Sequence, residues 1–147
     1  MEFNIILKYA AKLSAKFKTS MKYSIDKQEK YAILSLEEEY LNSLIAPNLK
    51  SEFIFFQNEG VSNLILDLAQ VKYIDSSGLS AILTGNRLWK EDGCFVITNV
   101  KSETVAKLIE ISHLESILTI IPTLEESIDY VFMDELERDF KAEHEEE

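Results

Sequence analysis

The segment Tyr73-Ile74-Asp75-Ser76-Ser77-Gly78-Leu79-Ser80 holds the side chains best suited to chemistry in this sequence. It sets one carboxylate and two hydroxyls at the start of a helical apolar pattern. Asp75 or Ser76 there can accept from the otherwise unpaired amides of a first helical turn. Those amides and the helix dipole favour added negative charge, so the fold would tolerate a phosphate on a first-turn serine. Such a phosphate brings up to two negative charges to a surface where a partner could dock. Gly78 removes side-chain bulk beside the hydroxyl and lets another backbone come close. The plainer alternative is a helix cap with no further role.

Other side chains offer less. Ser77 or Ser80 could serve as a hydrolase nucleophile, but the Gly-x-Ser-x-Gly elbow is absent and a triad needs a suitable histidine. The two histidines are His113, just past a helical segment, and His144, in an acidic terminus. The single cysteine, Cys94, opens an apolar run and reads as core. One cysteine and two histidines exclude a disulfide scaffold or a zinc finger and fit a reducing, cytoplasmic setting. Glu37-Glu38-Glu39 reads as a solvated loop, so no metal site is expected. Neither a Walker motif nor Gly-x-Gly-x-x-Gly occurs, and no cofactor is expected.

The elements that must position Asp75 and Ser77 follow from periodicity. Residues 23–25 and 31–36 are β-rich runs split by polar residues 26–30, which reads as a hairpin. Residues 37–42 are polar and read as a loop. Ala46, Leu49, Phe53 and Phe56 recur at helical spacing, with Pro47 suited to the first turn and Gly60 to the exit. Phe53, Phe55 and Phe56 are all expected to face the core. Residues 64–66 are a continuous apolar run, as in a strand covered on both faces. Residues 71–74 read as a short apolar connection.

A helix over residues 76–89 turns Leu79, Ile82, Leu83 and the Leu88/Trp89 pair toward the core. A buried strand follows at 94–97, then a helix capped by Ser102 with Val105, Leu108 and Ile109 inward. A β-branched run covers 117–121. Thr123 and Glu126 form a capping box, and the helix beyond buries Leu124, Ile128, Val131 and Phe132. The order β-β-α-β-α-β-α-β-α predicts an α/β fold, a mixed, largely parallel β-sheet with about four helices.

The chain has 147 residues and 46% apolar residues, enough for one globular domain. Its net charge of −11 argues against nucleic acid as a partner. The charge divides unevenly: +4 over residues 1–22, −9 over 23–133 and −6 over 134–147. This suggests a basic extension (1–20), a domain (21–133) and an acidic tail (134–147) read as a solvated helix end. Lys8, Lys12 and Lys16 would line one helical face, so the extension could touch a membrane surface or a partner. Its apolar run, residues 3–7, is too short for a signal peptide, and Met21 is an alternative start. No run approaches the roughly 20 apolar residues of a membrane span.

Asp75-Ser76-Ser77-Gly78 after a buried strand, in this strand-helix order, resembles the STAS domain family of anti-sigma factor antagonists. Ala46-Pro47-Asn48-Leu49 resembles that family's Ala-Pro-x-Leu start of the first helix. The resemblance covers about residues 21–133. It implies that Ser77 matches the hydroxyl phosphorylated by an anti-sigma factor serine kinase, with a serine phosphatase to reset it. It further implies a non-enzymatic, cytoplasmic regulator of transcription that docks through Asp75, Ser76, Gly78, Leu79 and Ser80, with the 37–45 loop alongside. One departure stands out. The family's usual Gly-Glu-Leu-Asp reads Glu39-Tyr40-Leu41-Asn42 here, and Ile45 replaces a threonine. Asn42 keeps hydrogen-bonding capacity without the charge. That favours a rival, a STAS scaffold that is never phosphorylated. The sequence leaves the oligomeric state open.

Overall fold

A computed structural model describes residues 20–145. The basic extension lies outside the described residues, save its last member, Ser20.

The hairpin is present as β1 (Tyr23–Lys27) and β2 (Ala32–Leu36), antiparallel, with Tyr23 opposite Leu36 and Lys27 opposite Ala32. A two-residue strand, β3 (Tyr40–Leu41), comes next, followed by α1 (Ala46–Asn58), which Pro47 opens. Gly60, at φ 86°, turns the chain out of α1, a backbone that side chains resist. Then come β4 (Asn63–Asp67), β5 (Tyr73–Ile74), α2 (Ser76–Trp89), β6 (Cys94–Thr98) and α3 (Glu103–Ile111). A short 3-10 turn (Leu114–Ser116) leads into β7 (Thr119–Ile121) and α4 (Leu124–Glu145).

The main sheet has the order β1-β2-β4-β6-β7, parallel except for β1. Consecutive residues of its central strands face opposite layers. Leu34, Leu64, Leu66, Phe95 and Ile97 meet α1, α2 and α3, while Ile33, Ile65 and Val96 meet Val131 of α4. Both faces are covered, so the central strands read as unbroken apolar runs.

The fold departs from expectation in four places. Residues 40–41 and 73–74 are not loop and connection but pair in parallel as a separate two-stranded sheet, Tyr40 with Tyr73 and Leu41 with Ile74. Phe55 is exposed, because α1 turns only Phe53 and Phe56 inward. Phe132 is also exposed, one step around α4 from the buried Val131, and meets Tyr31 edge to face. The final strand starts at Thr119, because residues 114–116 wind into the 3-10 turn and leave Ile117 exposed.

The acidic terminus continues α4 to Glu145, and its first turns are tied to the domain. Arg138 Nη2 donates to Oδ1 of the buried Asn63 (3.0 Å), and Nη1 donates to the Asp92 carbonyl (2.8 Å). Asn63 donates in turn to Glu135 (3.1 Å) and the Lys30 carbonyl (2.8 Å), and accepts from the Cys94 amide (3.0 Å). A buried amide side chain is costly unless bonded, and here both ends are satisfied.

Candidate functional site

Asp75 is the N-cap of α2, in extended backbone (φ −99°, ψ −174°). Its Oδ1 accepts from the Gly78 amide (2.9 Å), as a cap should. Its Oδ2 accepts from the Ser43 amide (3.2 Å). Its own amide donates to the Leu41 carbonyl (3.2 Å). One residue thus fastens the 42–45 loop to the start of α2, with both carboxylate oxygens in use.

The loop closes on itself beside this clasp. Asn42 Oδ1 accepts from the Leu44 amide (3.0 Å), and the Asn42 carbonyl accepts from the amides of Ile45 (3.1 Å) and Ala46 (2.8 Å). Asn42 therefore shapes the entry to α1, and its side-chain oxygen is turned to its own loop. On the small sheet, Tyr40 of β3 and Tyr73 of β5 stack with ring centroids 5.2 Å apart and half their surface exposed. Leu44 is 63% exposed. An apolar rim therefore borders the polar loop.

Gly78 is buried. A Cβ there would overlap the Leu41 carbonyl oxygen and come within 2.8 Å of Ile74 Cγ2. The close approach expected at Gly78 therefore exists, but the backbone that uses it is the chain's own β3.

Ser77 is half-buried, one turn before Ser80 on the same face of α2. Ser43, Ala46, Pro47, Lys50, Ser76, Ser77 and Ser80 line an open cleft of about 270 Å³ between the first turns of α1 and α2. Lys50 Nζ donates to Ser80 Oγ (3.2 Å). Lys50 was not anticipated. It follows Pro47 by three residues on one helical face, a signal visible only once the two helices are known to cross. Leu79 packs against the core and lines a neighbouring groove with Leu83, Arg87 and Ile117. Of the expected site, Asp75, Ser76, Ser77, Ser80 and the loop come together, while Leu79 borders them.

No histidine lines the cleft, so the parts of a serine triad are not assembled there. His113 follows α3 in left-handed backbone (φ 56°), and His144 stacks on Phe140. Cys94 is buried, and its thiol lies 3.3 Å from Asn63 Oδ1. Burial, then the nearby Asp134, pushes that thiol up to about 12, which removes it as a nucleophile at neutral pH. Glu39 pairs with Lys72 (3.1 Å) at the exposed edge of the small sheet. Among the described residues no cluster of metal-binding side chains occurs, and no helix is long and apolar enough to cross a membrane.

Three solved structures share this architecture. A Thermotoga maritima protein described provisionally as an anti-sigma factor antagonist is 25% identical, with TM-score 0.65, over 78% of this chain and 97% of that one. The phosphorylated form of the Bacillus cell fate determinant SpoIIAA is 20% identical, with TM-score 0.58, over 75% and 99%. A sulfate transporter family protein from Wolinella succinogenes is 15% identical, with TM-score 0.61, over 74% and 89%. The last two likenesses speak for the fold alone, and their unlike names show that this fold serves more than one purpose. The STAS domain family model matches residues 22–127, spanning β1 to the first turn of α4. The chain belongs to the STAS domain family.

Proposed function

We propose that this chain is an anti-sigma factor antagonist-like regulator in the cytoplasm, without enzymatic activity of its own, switched by phosphorylation of Ser77. The observation that carries this reading is the half-buried Ser77 hydroxyl in an open cleft, beside a loop that Asp75 clamps to the same helix start. A serine kinase of the anti-sigma factor type is the partner. Ser77 Oγ attacks the γ-phosphorus of ATP bound to that kinase. The new O–P bond replaces the bond to ADP, and the hydroxyl proton passes to a base of the kinase. Docking uses Ser76, Ser77 and Ser80, the 42–45 loop, and the rim of Tyr40, Leu44 and Tyr73. The new charge then weakens docking by repulsion and by the cost of desolvating it. A serine phosphatase restores the first state.

Purified protein incubated with the anti-sigma factor kinase of its own organism and ATP is expected to gain one phosphate by mass spectrometry. Ser77→Ala is expected to gain none. No transfer to the wild type, or equal transfer to both, overturns the proposal. A second reading, a scaffold that never carries phosphate, gains support from Asn42, whose side-chain oxygen serves its own loop and which offers a kinase no carboxylate. Kinase binding without transfer is its signature.

A further inference from the structure

We propose that Lys50 receives the phosphoryl group on Ser77 and holds it in the cleft. This rests on the proposed phosphorylation of Ser77 and assigns a positioning residue to that site.

Three observations converge. Lys50 of α1 and Ser77 of α2 line the same cleft, and the Lys50 ammonium already sits 3.2 Å from Ser80 Oγ, one turn along from Ser77. The cleft has no carboxylate in its lining. The nearest acid in sequence, Asp75, has one oxygen on the Gly78 amide and the other on the Ser43 amide. Lys50 itself is paired only with a neutral hydroxyl among the described residues. Four of the nine described lysines, Lys27, Lys30, Lys72 and Lys141, lie 3.1–3.6 Å from a carboxylate oxygen, while Lys50, like Lys22, Lys90, Lys101 and Lys107, does not, and Lys50 alone of these five holds a side-chain hydroxyl in the cleft. A lysine left with a hydroxyl, in an acid-free cleft, against a serine open to modification, is a cation placed for an anion that arrives later.

The chemistry suits a phosphoryl group. It offers three strong acceptor oxygens, and an ammonium donates to such oxygens through charge-assisted bonds. The flexible four-carbon stem of lysine lets the ammonium move from Ser80 toward Ser77 without any shift of the helix. Other charges facing the cleft are few. Arg87 and Lys90 line the adjacent groove, further along α2, with Ser76 and Ser80. Phosphorylation would then change the cleft twice over, by adding anionic charge and by consuming the free cation that an unmodified cleft presents.

The test places phosphoserine at position 77 by genetic encoding, without any kinase, and follows its phosphorus NMR signal as pH is varied. An isolated phosphoserine loses its second proton near about pH 6. With Lys50 beside it the midpoint is expected to lie lower. Lys50→Gln is expected to raise that midpoint by about one pH unit, and Lys50→Arg is expected to keep it low. Equal midpoints in wild type and Lys50→Gln overturn the inference. Circular dichroism of each phosphorylated variant establishes that it is folded. Should Lys50→Gln not fold, an unshifted wild-type midpoint relative to an unfolded phosphopeptide overturns it equally well. Failure of the kinase assay would instead sink the functional reading, so the two ideas fail separately.

Discussion

Asp75 spends one carboxylate on two tasks, capping α2 through Gly78 and holding the 42–45 loop through Ser43. The capping role was legible in the sequence, because an Asp before an apolar helical pattern has few other uses. The second bond was not, since it joins segments separated by a helix and two strands. Cys94 is buried in the smaller apolar cluster, with Ile33, Ile65, Val96 and Val131. Its thiol is raised from 9.0 to about 12, by burial first and Asp134 second, with Glu135 adding and Arg138 opposing. In the unfolded chain it would ionise near its ordinary value. Between those values unfolding releases a proton, so the native state loses stability as pH rises above 9. Below 9 this group contributes no slope. The stability gap between wild type and Cys94→Ala, measured by urea unfolding, is expected to shrink by up to about 1 kcal/mol per pH unit above 9.

Two elements meet with no room to spare where α2 crosses β3. Any side chain at position 78 collides with the Leu41 backbone, which is itself held by pairing with Ile74. Gly78→Ala is expected to lower unfolding free energy by about 2–4 kcal/mol in a urea titration. A loss below about 0.5 kcal/mol would show that β3 shifts freely. The helices, the hairpin and the central strands were legible because each is long enough to display a period. Strands β3 and β5 were not. Two residues cannot show alternation, and their pairing is set by the crossing chain rather than by local preference. Phe55 and Phe132 failed for a related reason. Hydrophobicity says that a residue can be buried, while the helix face decides whether it is.

For the molecule as a whole, the acidic terminus is a continuation of α4 that specific side chains tie to the domain. The acidic run from Asp134 onward contains Arg138, and that one cation joins α4 to Asn63 and to the Asp92 carbonyl. Removing it strands a buried amide oxygen with one donor fewer and leaves Asp134 without its ion pair. Arg138→Ala is expected to cost about 1–3 kcal/mol in chemical denaturation while phosphate acceptance at Ser77 stays unchanged. A loss of acceptance in folded Arg138→Ala would mean that the two ends of the sheet communicate. The sole tryptophan gives a way to watch all this. Trp89 is 3% exposed, lies against Phe53 and Phe95, and donates its indole N–H to the Val61 carbonyl (2.9 Å), at the end of α2 opposite to Ser77. Its fluorescence should be blue-shifted in the native protein, move red on global unfolding, and stay silent when Ser77 alone is modified. The protein therefore contains an optical reporter of folding set apart from the cleft that Ser77 lines.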